Sequence, residues 1–112
     1  MEVYRLTESF PRHELYGLSA QMRRAAVSVV SHISEAEGRL LFGERRQLLS
    51  QGRGSLFELE AQLIVAERLG YATNTAALRA STSKTGAMLM GFIRYTQRRE
   101  AQTKTSRRSP TT

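Results

Sequence analysis

The 112-residue chain contains no cysteine, no tryptophan and no aspartate. Without cysteine, disulfide bonds and thiolate metal sites are excluded. The two histidines, His13 and His32, stand far apart in the sequence, whereas a zinc site needs several ligands brought together. We therefore predict neither a metal site nor a cofactor.

Long hydrophobic runs are also missing, and none approaches the roughly 20 apolar residues of a membrane span. The first residues, MEVYRLTES, are acidic and amphipathic, which is unlike the basic and then apolar start of a signal peptide. The length corresponds to about one domain with a modest core. These features predict a single cytoplasmic domain.

Proline occurs only at positions 11 and 110, so the centre of the chain is free of helix breakers. Strand-like alternation is not sustained anywhere, and apolar residues recur every three or four positions. Pro11, Gly38 and Gly70 mark the ends of the first three helical patterns. The predicted helices cover approximately residues 2–9, 18–37, 44–69 and 75–99.

Short connections between such helices favour an all-α, antiparallel up-down-up-down four-helix bundle with a short first helix. We expect this bundle to occupy residues 1–101 and a disordered basic tail to occupy residues 102–112. The predicted inner faces include Leu40 at the end of helix two, Leu48 of helix three and Phe92 of helix four. Gly52 and Gly54 inside helix three suggest close approach of a neighbouring backbone.

A second set of apolar residues falls on the backs of helices two and three. These residues are Val27, Val30, Phe57 and Ile64. They are either scattered surface residues, which are common, or a subunit interface, because two helices share the feature.

Positive charge is concentrated toward the C-terminus. Residues 1–90 carry 11 basic and 9 acidic side chains, a net of +2, whereas residues 91–112 carry 6 and 1, a net of +5. Basic side chains surround the turn between helices two and three and crowd the C-terminal end, which predicts sequence-independent contact with RNA or DNA phosphates. The candidate residues are Arg39, Arg45, Arg46, Arg53, Arg94, Arg98, Arg99, Lys104, Arg107 and Arg108.

Arg23 and Arg24 point to different flanks of helix two, so they need separate explanations. For these arginines we favour a structural ion pair with Glu58 or Glu60 of helix three, inside the protomer or across an interface. The alternative roles for an arginine here are a direct phosphate contact and an unconstrained surface position.

Catalytic patterns are weak. Glu58 and Glu60 are two residues apart, which turns them about 200° from each other on a helix, so they cannot share one substrate. Ser28 has only His32 nearby and no aspartate to complete a triad. We predict that the protein is not an enzyme.

Three blocks of sequence resemble a known family: FPRHELYGLSAQMRRAAVSVVSHISEAEGR, GSLFELEAQLIVAERLGY and TGAMLMGFIRYT. They are similar to small four-helix bundle proteins encoded within intervening sequences of large-subunit ribosomal RNA genes. The resemblance covers about residues 2–95. It implies a homopentamer of antiparallel bundles around a central axis, without enzymatic activity.

More distant members of that group serve as accessory proteins to reverse transcriptases of diversity-generating retroelements. The chain departs from the family pattern in three places. Its first helix is shorter, Val30 stands where proline is common, and His32 and Ala36 replace the Asn and Gly of SNIAEG.

Two functions remain open after these arguments. One is a non-catalytic homo-oligomer that binds RNA or DNA backbone and serves a reverse transcriptase. The other is a structural or protein-interaction module with no nucleic-acid role.

Overall fold

The computed structural model describes residues 2–108, with side chains described through Lys104. It confirms an all-α chain of four helices with a short first one. The helices are α1 (Glu2–Glu8), α2 (Leu18–Glu37), α3 (Phe42–Arg68) and α4 (Ala76–Arg108), with a short 3-10 helix (Arg12–Glu14) between α1 and α2.

The helix ends follow local backbone chemistry. Pro11 follows α1, and the chain makes one 3-10 turn before α2 begins. Gly38 ends α2, and Gly70 follows α3 with a φ of 77°, a left-handed conformation that glycine adopts without a steric penalty. No side-chain cap is found at the start of α2, where Gly17 is the N-cap residue.

The central helix is α3, which packs against α2 on one side and α4 on the other. The register with α2 is set near Gly52, which faces Val29 and His32. Arg46 of α3 lies beside α4, where its guanidinium pairs with Glu100. Because both neighbours run antiparallel to α3, the C-terminal half of α4 lies beside the turn between α2 and α3.

Two apolar clusters form the core. The first lies at the α1 end, and its buried members are Val3, Phe10, Met22, Ala25, Ala26, Leu59, Leu63, Ala66 and Ala72. The second lies toward the α2–α3 turn, where only α2, α3 and α4 contribute, and comprises Val29, Ala36, Leu49, Leu56, Leu89 and Ile93. The described residues of α1 do not contribute to the second cluster.

Two predicted core positions were wrong. Phe92 is 48% exposed and Leu40 is 90% exposed, because Phe92 lies beside the buried stripe of α4 and Leu40 lies beyond the end of α2. In α3, Leu48 is half-buried and packs against the second cluster, whereas its neighbour Leu49 is buried within it.

Helix α4 runs further than predicted. Its last residue is Arg108, so residues 102–108 of the expected tail continue the helix, while residues 109–112 lie outside the described residues. No proline or glycine interrupts the chain between Gly91 and Arg108.

The close approach expected at Gly52 is confirmed, because a Cβ there would lie 3.4 Å from the His32 Cβ and 3.7 Å from the Val29 carbonyl oxygen. Gly54 has nothing within 4 Å of such a Cβ, so it serves no close approach. Gly52→Ala fits at van der Waals contact, whereas Gly52→Leu must displace α2 or His32. We expect the Leu variant to be less stable than the Ala variant by about 1–3 kcal/mol.

Chemical denaturation of both variants measures this difference. Gly54→Leu is the matched control, because it adds the same side chain to the same helix in open space, and it should not destabilise the protein. Equal stability of Gly52→Leu and Gly52→Ala would mean that α2 moves away at little cost.

Candidate nucleic-acid interface

One end of the bundle brings together basic residues from two distant parts of the sequence. We call it the basic end and define it by Arg39, Phe42, Arg45, Arg46, Arg99, Glu100 and Lys104. The chain turns there from α2 into α3, and α4 returns alongside. The cations at this end therefore come from the turn, the first turn and a half of α3 and the distal part of α4.

Two guanidinium groups lie over the ring of Phe42, the first residue of α3. The Arg45 Cζ lies 5.5 Å from the ring centroid and the Arg99 Cζ lies 5.3 Å from it. The electron-rich faces of an aromatic ring attract cations. Phe42 thus holds two arginines near each other without neutralising either of them.

Glu100 is the carboxylate of the basic end. It pairs with Arg46 at 2.9 Å and with Lys104 at 3.2 Å. The hydrogen bond from Arg46 and then that from Lys104 lower the pKa of Glu100 below its usual value. Glu100 is therefore ionised at neutral pH and offsets part of the charge of these two cations.

The turn itself is held by a backbone contact. The Arg45 Nε donates to the carbonyl oxygen of Arg39 at 2.6 Å, which ties α3 to the segment after α2. Leu40 and Leu41 lie exposed between these two arginines. Arg39, Arg45 and Arg99 form no ion pair within the part of the chain whose side chains are described.

The other predicted phosphate-binding residues divide into three groups. Arg94 and Arg98 are exposed and lie one turn apart on α4, on a stripe about 100° from Arg99. Arg53 lies further along α3, with its guanidinium 4.6 Å from the Phe57 ring centroid, and does not join the basic end. The backbone of Arg107 and Arg108 belongs to α4, but their side chains lie outside the described residues.

The basic end is suited to contact with phosphate groups. Arginine offers several N–H donors in a planar fork that matches phosphate oxygens. Two guanidinium groups already lie over the Phe42 ring and compete with any base for stacking on it. The arrangement therefore favours backbone contact over reading of base sequence.

Arg23 does not form the ion pair that was predicted inside the protomer. Its Nε donates to the Thr7 hydroxyl at 2.8 Å, and its guanidinium lies 4.9 Å from the ring centroid of Tyr4. The side chain is half-buried and joins α2 to α1. Sequence reasoning missed this role because Thr7 and Tyr4 are neutral and an ion-pair search ignores them.

Arg24, Glu58 and Glu60 also take part in no ion pair among the described side chains. Arg24 and Glu58 line the same shallow polar cleft between α2 and α3, but they do not come within pairing distance. A pair across a subunit interface stays a prediction.

Replacing Arg23 should lower thermal stability, because α1 would lose its hydrogen bond and its cation–π contact to α2. Together these contribute about 1–2 kcal/mol, which corresponds to several degrees in melting temperature for a domain of this size. Thermal unfolding of Arg23→Ser followed by circular dichroism measures the effect. Arg24→Ser, at the exposed neighbouring position, is the control, and equal melting of both variants would contradict the role of Arg23.

Ser28, His32 and Ser55 form a small polar cluster between α2 and α3. The Ser28 hydroxyl lies 2.8 Å from the Ser55 hydroxyl and 3.0 Å from the His32 Nδ1, which is also 2.7 Å from the Ser28 carbonyl oxygen. A carbonyl oxygen only accepts, so Nδ1 carries the proton and cannot remove one from Ser28. The cluster joins two helices and does not activate a nucleophile.

The predicted interface residues are exposed on the folded chain. Val27, Val30, Phe57 and Ile64 have exposed fractions of 42–52%. Sequence reasoning missed a further exposed stripe on α4, formed by Met88, Phe92 and Tyr95. Their spacing of four and three residues was the available signal, but Phe92 was assigned to the inner face.

No group of three or more metal-binding side chains comes together in the part of the chain that the structure describes. None of the described helices combines the length and the apolar character needed to cross a bilayer.

These features define a small all-α bundle protein with one basic end. The family model of the 23S rRNA-intervening sequence proteins matches residues 1–91, and the chain belongs to this family. The family description names no enzymatic activity. No curated protein matches the chain significantly. The family match ends at Gly91, so the arginines of distal α4 lie beyond it.

Proposed function

We propose that the protein is a non-catalytic homo-oligomeric scaffold that binds the backbone of RNA or DNA through its basic end. The observation that carries this proposal is the pair of arginines, Arg45 and Arg99, that share the Phe42 ring and form no ion pair with a described side chain. Clustered cations of this kind are the usual footprint of sequence-independent phosphate contact.

Oligomerisation strengthens the proposal, because a ring of copies multiplies the electrostatic field of one basic end. The exposed apolar residues on α2, α3 and α4 support self-association. The family that the chain resembles has more distant members that are retroelement accessory proteins, which suggests a reverse transcriptase as the enzyme that such a scaffold serves. The homopentamer that the family resemblance implies is the expected oligomer.

Fluorescence anisotropy with labelled RNA and DNA duplexes at several salt concentrations tests nucleic-acid binding. The affinity should fall with a log–log slope of roughly −0.9 for each duplex phosphate neutralised, and it should depend little on sequence. Light scattering on the same samples reports the oligomeric state. An assembled protein that binds neither probe at low salt would overturn the nucleic-acid role.

The second candidate is a structural or protein-interaction module. The exposed apolar surface favours it, because that surface is independent of the basic end. Under this function the protein assembles but shows no salt-dependent binding, so the same two measurements separate the candidates.

A further inference from the structure

The turn between α2 and α3 carries two exposed leucines within the basic end. Leu40 is 90% exposed and Leu41 is 57% exposed, so neither side chain belongs to the two apolar clusters of the core. Arg39 precedes them in the chain, and Phe42, the first residue of α3, follows them. We call Leu40 and Leu41 the leucine tip.

Local structure does not account for a leucine at either position. Leu41 is the N-cap residue of α3 and makes no side-chain capping hydrogen bond. Ser, Thr, Asp and Asn are preferred at an N-cap because their side-chain oxygens accept hydrogen bonds from the first backbone N–H groups of the helix. Leu40, in turn, forgoes the burial that stabilises an apolar side chain in a folded protein. Two such departures from local stability side by side are typical of residues kept for binding.

Contacts on both sides hold the backbone of the leucine tip in place. The Arg45 Nε donates to the Arg39 carbonyl oxygen at 2.6 Å, and this hydrogen bond closes the chain around the two leucines. The guanidinium of Arg45 also lies over the Phe42 ring. The tip is therefore presented in a defined position, so it loses little conformational freedom when it binds.

Cations surround the leucine tip. The two leucines form part of the wall of an open cleft of about 480 Å³, and Arg46 and Lys104 also line this cleft. The tip is thus continuous with the surface that is proposed to hold phosphates. A ligand that suits both features presents anionic groups and an apolar face within the reach of neighbouring side chains.

Nucleic acids have this character, because their stacked bases lie directly behind the phosphates. Proteins that bind the backbone without reading the sequence frequently insert apolar side chains, leucine among them, between base steps. A lipid surface also combines anionic groups with an apolar interior, but proteins engage it with the long apolar face of an amphipathic helix or with a lipid anchor. Two leucines on a turn, in a chain without tryptophan, are a small surface for that purpose.

We propose that the leucine tip inserts between bases of the bound nucleic acid while the surrounding arginines contact its phosphates. The inference rests on the proposed nucleic-acid function and adds a contact that backbone binding does not require. Insertion breaks base stacking, which costs less where a base is already unpaired or mismatched. The preferred ligand is therefore a duplex with a defect in its base stack rather than a regular duplex.

Two pairs of duplexes test the insertion, one pair of RNA and one of DNA. Each pair has a fully paired member and a member of the same sequence with one additional unpaired adenine. A fluorescent adenine analogue beside that position brightens when it unstacks. In at least one of the two pairs, the unmodified protein should bind the bulged member about 10-fold more tightly than the paired member, and the fluorescence should rise on binding.

The tip variant is Leu40→Ser with Leu41→Ser, which leaves every charge in place. Its affinity for the paired duplex and its salt slope should be nearly unchanged, whereas the preference for the bulge and the rise in fluorescence should be lost. Its melting temperature should not fall, because serine at the N-cap of α3 supplies a capping oxygen. The control is Leu15→Ser with Leu69→Ser, two leucines that are 49% and 53% exposed at the opposite end of the bundle, and it should behave like the unmodified protein.

The inference is overturned if the unmodified protein binds paired and bulged duplexes equally, or if the tip variant keeps both the preference and the rise in fluorescence. Salt-dependent binding persists in these cases, so the proposed function stands. Loss of self-association by the tip variant would assign the leucines to a contact between copies, and loss of binding to phosphatidylserine vesicles would assign them to a lipid surface; either result also overturns the inference. A protein that binds no duplex at low salt would overturn the inference and the proposed function together.

Discussion

Replacing Arg45 and Arg99 together by serine should weaken nucleic-acid binding more than any other double change at the basic end. Both guanidiniums lie against Phe42 and neither is paired with a described carboxylate, so each is able to neutralise a phosphate. The logarithm of the binding constant falls with the logarithm of the salt concentration with a slope of about −0.9 for each phosphate contact. Losing one arginine contact should therefore lower the affinity about 15-fold at 0.05 M salt and about 4-fold at 0.2 M.

Fluorescence anisotropy with one labelled duplex across this salt range measures the loss. The slope should become shallower by roughly 1.8 when both contacts are removed. The matched control is Arg68→Ser with Lys84→Ser, which removes the same charge from exposed positions away from the basic end. If the control weakens binding equally, net charge rather than the basic end determines the affinity.

The helices were predictable from sequence because each boundary carries a local signal. The bounds of α2 were predicted correctly, and those of α1 and α3 to within two residues, since Pro11, Gly38 and Gly70 act on the backbone beside them. The end of α4 was not predicted correctly. The polar and charged composition of residues 102–112 suggested disorder, although no proline or glycine prevents a helix as far as Arg108.

The roles of single side chains were less predictable, because they depend on which helices meet. The hydrogen bond from Arg23 to Thr7 and its cation–π contact with Tyr4 depend on how α1 packs on α2. The spacing of apolar residues in the sequence does not indicate this packing. The exposure of Phe92 could not be predicted either, because its helical spacing alone is also compatible with a core position.

The structure also separates two kinds of cation that the sequence treats alike. Arg45 and Arg99 are held by an aromatic ring and keep their full charge available. Arg46 and Lys104 share the carboxylate of Glu100. If the basic end binds nucleic acid as proposed, its affinity should depend on this one acidic residue as well as on the number of arginines.

Replacing Glu100 by glutamine should strengthen nucleic-acid binding. The change removes one negative charge from the basic end and releases Arg46 and Lys104 from their ion pairs. If both cations then reach phosphates, the salt slope should steepen by up to roughly 1.8, with a gain of about 15-fold for each at 0.05 M salt. Glutamine keeps the size of the side chain and can still accept a hydrogen bond from Arg46.

The pH dependence provides an independent check on Glu100. Its pKa lies below the usual value because Arg46 and Lys104 favour the ionised form. The ion pairs are therefore complete at neutral pH and are lost only as the pH falls through that lowered pKa, where the unmodified protein should approach the behaviour of Glu100→Gln. The variant itself should lack this step.

The control is Glu67→Gln, which removes the same charge from the ion pair with Arg79 at the opposite end of α3. The Glu67 variant should leave affinity and salt slope nearly unchanged. Anisotropy at pH 7 and at acidic pH, with circular dichroism to verify folding, measures all three proteins. If Glu100→Gln binds no more tightly than Glu67→Gln, then Arg46 and Lys104 do not contact phosphates, and the nucleic-acid surface would be restricted to the cations outside this ion-pair network.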